Sequence, residues 1–166
     1  MTLLTSIHPQ HLSQKPQVFE GVFVPGDLAR LSQALANGGG ELHFKVTARL
    51  DRQRRKVVSC IIEGFVFLTC QTTLEPFRHA ISIDDRLVLV ERESELPPIE
   101  GESDVEDYLV AEAPLELRDL VEDAVLLALP MVPRKPGLEA PAVTPGKERP
   151  AKPSPFASLA SLKRAK

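Results

Sequence analysis

The chain has 166 residues, 43% hydrophobic and 26% charged, with fifteen prolines and a formal net charge of −3; this is enough for one domain and an extension. No apolar run reaches the roughly 18 residues of a membrane helix, and the start MTLLTSIHPQHLSQ lacks the features of a secretory signal, so a cytoplasmic protein without membrane partners is expected. Two cysteines, Cys60 and Cys70, exclude a disulfide scaffold and are expected to stay reduced.

The charge is segregated. Residues 1–81 carry nine Lys/Arg against six Asp/Glu, residues 82–123 three against fifteen, and residues 124–166 eight against two. An acidic stretch between basic ends says more about partners than the net value does.

Residues 1–16 show no period and read as a flexible leader; a domain is expected over 17–130. Its first strand is QVFEGVFV, 17–24. Pro25-Gly26 turns the chain, and Asp27 is suited to cap a helix carrying Leu28, Leu31 and Leu35, which Asn37 and Gly38–Gly40 would end. Residues 42–50 alternate Leu42, Phe44, Val46, Ala48 and Leu50 with His43, Lys45, Thr47 and Arg49, the pattern of a strand with one buried face. After a polar turn at Asp51–Arg54, Lys56–Cys70 is apolar on both faces, and Glu63-Gly64 suggests a bulge or bend. A third strand covers Phe77–Ile83, with its extension to Val90 left open. Hairpin connections of this kind predict an antiparallel, twisted sheet.

Residues 91–107 read as an acidic loop, broken by Pro97-Pro98 and Gly101, and Tyr108–Ala111 as an edge strand. LELRDLVEDAVLLALP, opened by Pro114 and ended by Pro130, is the strongest helical pattern. Residues 131–153 form a Pro-rich linker. Residues 154–166 form a basic amphipathic terminal motif, with Ser154 and Pro155 at a helix start and Phe156, Leu159 and Leu162 along one side. About ten residues do not hold a helix alone in water, so this motif is expected to be helical only when docked. The fold class is α+β: an antiparallel sheet with two helices, then the linker and the terminal helical motif.

The chemistry-bearing residues point away from catalysis. Cys60 and Cys70 are ten apart on one strand or around one bend, and nothing in the spacing brings His43 or His79 to them, so neither a zinc site nor a nucleophile–base pair is expected. Gly38–Gly40 precedes a strand and lacks the lysine of a phosphate loop. No catalytic residue, metal, cofactor or small-molecule substrate is assigned. RLDRQRRK is different: Arg49, Arg52, Arg54, Arg55 and Lys56 lie within eight residues at a hairpin turn, beside the wet strand face carrying Lys45. They read either as a solvated turn protecting the sheet edge or as a phosphate-contacting element. Few exposed aromatics are expected, so base stacking is not part of this reading. In the tail, Lys163, Arg164 and Lys166 suit phosphate or an acidic surface, and Phe156, Leu159 and Leu162 supply an apolar anchor for a partner; a helix packed on the chain's own sheet is the alternative. The acidic stretch 84–107 reads as a solvated loop, as a mimic of RNA charge shielding a basic protein, or as a holder of the basic tail.

Three stretches together resemble the YceD family, the large ribosomal RNA subunit accumulation proteins of bacteria and plastids. They are LVEDAVLLALPMVP (120–133), the closing SPFASLASLK (154–163), with Ser154 where the family has Asn, and LTCQTTLEPF (68–77) at the family's Cys-x-x-Cys strand end. The resemblance runs from about residue 17 to the end and is weakest in the acidic loop and linker. It implies a non-catalytic ribosome biogenesis factor supporting synthesis, processing or stability of 23S rRNA, with large-subunit rRNA or a pre-ribosomal particle as partner. The alternative is a chaperone or adaptor for a basic large-subunit ribosomal protein, working through the acidic loop. Here Thr73 replaces the second cysteine, so a metal or redox role of that pair loses one thiolate.

Overall fold

The computed structural model describes residues 6–98, 106–111 and 113–137. The chain divides into a unit spanning Met1–Lys135, which holds all the described elements, and a second, Pro136–Lys166, of which only residues 136 and 137 are described. The terminal motif at 154–166, most of the linker and the middle of the acidic loop lie outside the described residues. Among the described residues no helix is long and apolar enough to cross a membrane.

The expected α+β architecture is present. Among the described residues the strands are β1 (Ser6–Ile7), β2 (Gln17–Phe23), β3 (Gly40–Leu50), β4 (Lys56–Thr69), β5 (Pro76–Val90), β6 (Asp107–Val110) and β7 (Leu115–Glu116), and the α-helices are α1 (Leu31–Ala34) and α2 (Leu117–Ala128). The main sheet runs β2-β3-β4-β5-β6, and β1 pairs with β7 apart from it. β2 to β5 are antiparallel, but β6 lies parallel to β5, Leu87 opposite Asp107 and Val90 opposite Val110. A parallel neighbour needs a long crossover, and residues 91–106 supply it.

Alternation sorts the sheet into two faces. Val46 and Ala48 of β3 stand opposite Cys60 and Val58 of β4, Leu42 and Ile62 lie on the same face, and all are buried. With Ile81 and Ile83 of β5 they form the floor of the core, roofed by Leu117, Leu120, Val121, Ala124 and Val125 of α2 and by Leu28 and Leu31. Each fully buried Leu, Ile or Val contributes roughly 1.5–3 kcal/mol. The opposite face carries Glu20, His43, Lys45, Glu63, Ser82 and Asp84, all exposed. Exposed valines and an isoleucine, Val18, Val22 and Ile61, are interspersed among them.

Four expectations are corrected. The register of β4 is continuous with both neighbours, so Glu63-Gly64 is not a bulge; Gly64 is required because a Cβ there would collide with the Glu41 carbonyl. The first helix does not start at Asp27. Pro25–Asp27 form a single 3-10 turn, and α1 is one turn beginning at Leu31. Its donors are capped from elsewhere: the Glu122 carboxylate of α2 accepts the backbone N–H of Arg30 at 2.6 Å and of Leu31 at 2.8 Å. The leader is tied down from Ser6 onward, by β1 against β7 and by the buried side chains of Ile7 and Leu12. The start of the linker is also held: Gln71 N–H donates to the Pro133 carbonyl at 2.9 Å, and Lys135 N–H lies 3.4 Å from Cys70 Sγ.

Candidate nucleic-acid interface

Asp51 builds the turn between β3 and β4. Its Oδ1 accepts the backbone N–H of Gln53 at 2.8 Å and of Arg55 at 2.9 Å, while Oδ2 accepts Arg55 Nε–H at 2.8 Å. Such side-chain-to-backbone bonds fix a turn. They also hold the carboxyl below its ordinary range: burial pushes it up, but the Arg55 and Gln53 donors outweigh that. Arg54 takes the left-handed conformation, φ 61°, at a cost of roughly 1–2 kcal/mol for a residue with a Cβ. This lets Asp51 N–H reach the Arg55 carbonyl at 2.9 Å and close the hairpin.

The turn overhangs the open face, and Arg49, Arg52, Arg55 and Arg86 line a basin of about 520 Å³ there. Arg86 reaches it from β5, opposite Ser59, which is itself opposite Thr47. Glu106 stands just before β6 and engages two of the four. Arg55 Nη1 and Nη2 donate to its oxygens at 3.0 and 3.3 Å, and Arg86 Nε lies 3.0 Å from Oε1. Arg49, Arg52 and Arg54 are exposed and make no ion pair among the described residues.

The other two expected cations stand apart. Lys45 shares the open face but pairs with Glu20 at 2.7 Å across β2. Lys56 begins β4 on the opposite side, pairs with Glu91 at 2.5 Å and lines a different cleft with His11 and Arg92. The structure therefore gathers Arg49, Arg52 and Arg55, keeps Arg54 exposed on the turn, and separates Lys45 and Lys56. Lys163, Arg164, Lys166, Phe156, Leu159 and Leu162 fall outside the described residues. Arg86 is the member that the sequence hides, since its neighbours Asp84 and Asp85 make the run acidic and only strand register brings it to the turn.

Two aromatic side chains lie on the open face away from the turn. Phe65 and Phe67 are half-buried there, with the Arg78 guanidinium 4.0 Å from the Phe65 ring centre. Along β4 they lie roughly 20 and 26 Å from Ser59, the residue opposite Arg86.

The cysteines are separated. Cys60 and Cys70 share the covered face about 30 Å apart along the strand direction, too far for a disulfide or a shared metal. Burial, then Asp85, pushes the Cys60 thiol up to about 12. Cys70 is held down to about 6, first by the Thr73 hydroxyl and then by the Lys135 N–H and the Thr73 and Thr72 N–H groups. Thr73 thus binds the Cys70 sulfur as a donor. Among the described residues no group of three or more His, Cys, Asp or Glu is placed to hold a metal ion.

The family model described as "Large ribosomal RNA subunit accumulation protein YceD" matches residues 58–163. A protein of that name from Haemophilus influenzae is 26% identical over 169 residues, covering 95% of this chain and 94% of its own length. No solved structure is a significant match. The matched residues take in the strands β4 to β7, the helix α2 with its buried Glu122, and the closing motif, so the chain belongs to the YceD family.

Proposed function

We propose that the protein is a non-catalytic ribosome biogenesis factor that supports accumulation of large-subunit (23S) rRNA by contacting pre-rRNA, alone or in an assembling particle, through the arginine turn. One observation carries this reading: Arg49, Arg52 and Arg54 project without ion pairs among the described residues from a turn that Asp51 fixes, beside a basin lined by two more arginines. Cations on a rigid, exposed element are what phosphate contact needs, and such contact positions an RNA without reading its sequence. The tail is then a tethered second contact. Phe156, Leu159 and Leu162 would anchor it, Lys163, Arg164 and Lys166 would meet phosphate, and the linker would raise its local concentration.

The adaptor reading needs free negative charge. In the described part of the acidic stretch Glu91 is paired with Lys56, and Glu106 with Arg55 and Arg86. Exposed Asp84, Glu93, Glu95 and Asp107 remain among the described residues to serve it.

Ultraviolet crosslinking in cells, with sequencing of bound RNA, tests both. Large-subunit rRNA should be enriched with the full chain and fall sharply when Arg49, Arg52 and Arg54 are changed together to Ala. Loss on ending the chain at Lys152 would make the tail part of the RNA surface. No enrichment with any version, or dependence on Glu93 and Glu95 alone, would overturn the RNA reading in favour of the adaptor.

A further inference from the structure

We propose that Arg55 and Arg86 form a seat for one phosphate group, which Glu106 fills with its own carboxylate when no phosphate is present. That RNA supplies the phosphate rests on the function proposed above; the seat itself does not.

The Glu106 carboxylate is held in the manner of a bound anion. Arg55 offers Nη1 and Nη2 to its two oxygens at 3.0 and 3.3 Å, and Arg86 Nε lies 3.0 Å from Oε1. A guanidinium fork presented this way accepts phosphate oxygens as readily as carboxylate oxygens. Asp51 holds Arg55 Nε at 2.8 Å from the other side, so the fork keeps its direction whether or not Glu106 is there. The fit to Glu106 is imperfect: Arg86 Nε is shut off from solvent and, despite its short distance, is not aligned to donate a hydrogen bond. A tetrahedral phosphate offers oxygens in more directions than a planar carboxylate. Arg49 and Arg52 line, with Arg55, Arg86 and Asp51, the adjoining basin, and neither is ion-paired among the described residues, so a phosphate on Arg55 and Arg86 has further positive charge beside it. Glu106 adjoins β6, which among the described residues pairs with β5 and no other strand, at the edge of the sheet.

A ligand that must displace an internal competitor binds more weakly by the fraction of time the seat is empty. Removing the competitor should therefore tighten binding. In the full chain, inorganic phosphate titrated against the Nε–Hε NMR signals of Arg55 and Arg86 reads the seat directly. Glu106→Gln should respond at phosphate concentrations about fivefold lower or less than the parent needs. Glu106→Asp keeps the charge on a shorter arm and should respond more readily than the parent too. Arg86→Gln should lose the response at Arg55. For a short single-stranded RNA of mixed sequence, Glu106→Gln should bind about fivefold tighter. Asp84→Asn, which removes one charge from the same face outside the clamp, should gain no more than about twofold.

If phosphate moves the signals equally in the parent and in both Glu106 variants, or in none, the seat is wrong, even if RNA binds all of them. If phosphate responds as expected but RNA binds no variant, the seat stands and the RNA function falls.

Discussion

Glu122 is 3% exposed and organises the loop opposite it. It accepts two backbone N–H groups, from Arg30 and Leu31, while its other oxygen takes Arg30 Nε at 3.1 Å and neighbouring Asp123 takes Arg30 Nη1 at 2.6 Å. Burial raises the Glu122 carboxyl, but the Leu31 and Arg30 donors outweigh it, and the group ends below its ordinary value of 4.5. The unfolded chain therefore takes up a proton here at higher pH than the folded one. This contribution to stability is complete above about pH 5 and drains away as pH falls through the lowered folded value. Urea unfolding between pH 6 and 2.5 should show a steeper acid loss for the parent than for Glu122→Gln. Glu122→Ala strands the Leu31 donor in the core and should cost about 3 kcal/mol at pH 7; a loss under about 1 kcal/mol would mean that water replaces the carboxylate.

Cys70 gives a second test at a single residue. With the Thr73 hydroxyl as the foremost cause of its depression to about 6, Thr73→Val should move the thiol up toward the ordinary cysteine value. The 240 nm absorbance of thiolate, followed from pH 5 to 9, reports this. Cys60, pushed up to about 12 by burial, stays silent over that range. An unchanged titration in Thr73→Val would mean that the N–H donors alone hold the sulfur.

Among the elements, the β3–β4 hairpin depends most on one side chain. Asp51→Ala removes three hydrogen bonds from the turn while Arg54 keeps its unfavourable backbone. Unfolding in urea should show a loss of about 2 kcal/mol. The substitution also removes the carboxylate paired with Arg55, so the clustered arginines repel one another more and the charge change adds to the loss; unaltered stability would mean that water takes over the donors that Asp51 holds.

Strands were the legible elements. The alternation Leu42 to Leu50 exposes its period at once, because each buried residue is flanked by His43, Lys45, Thr47 or Arg49. The short helix misled. Leu28, Leu31 and Leu35 are spaced as on a helix, yet Pro25-Gly26 sets a 3-10 turn first, and the cap comes from Glu122, about ninety residues away. Ile7 and Leu12 carry no period of their own, so burial against distant residues could not be read from them. The parallel sense of β6 is fixed by its crossover, not by its four residues. At the site, Arg49, Arg52 and Arg55 were readable as a cluster in sequence. Arg86 and Glu106 were not, because only the sheet brings them within 3.0 Å of one another.

For the whole molecule, the expected behaviour is that of a polycation on one face of a net acidic chain. RNA affinity should fall steeply with salt, by a log–log slope of roughly 0.7–0.9 per phosphate contact. Changing Arg49, Arg52 and Arg54 together to Ala should flatten that slope by roughly 2–3. Filter binding from 50 to 300 mM salt measures it. A slope unaltered in the triple variant would place the phosphate contacts elsewhere on the chain.

The pairing of β1 with β7 and the capping of α1 by Glu122 also set an order of events during synthesis. Strands β2 to β5 are successive along the chain and can zip together as each leaves the ribosome, since each finds its partner already made. Ser6 and Ile7 have emerged first yet have no partner until Leu115 and Glu116 follow. Arg30 and Leu31 wait for a later residue, Glu122, across a shorter separation. Both segments, early in the sequence, thus set late, and a translation stall before residue 115 would leave them without their partners.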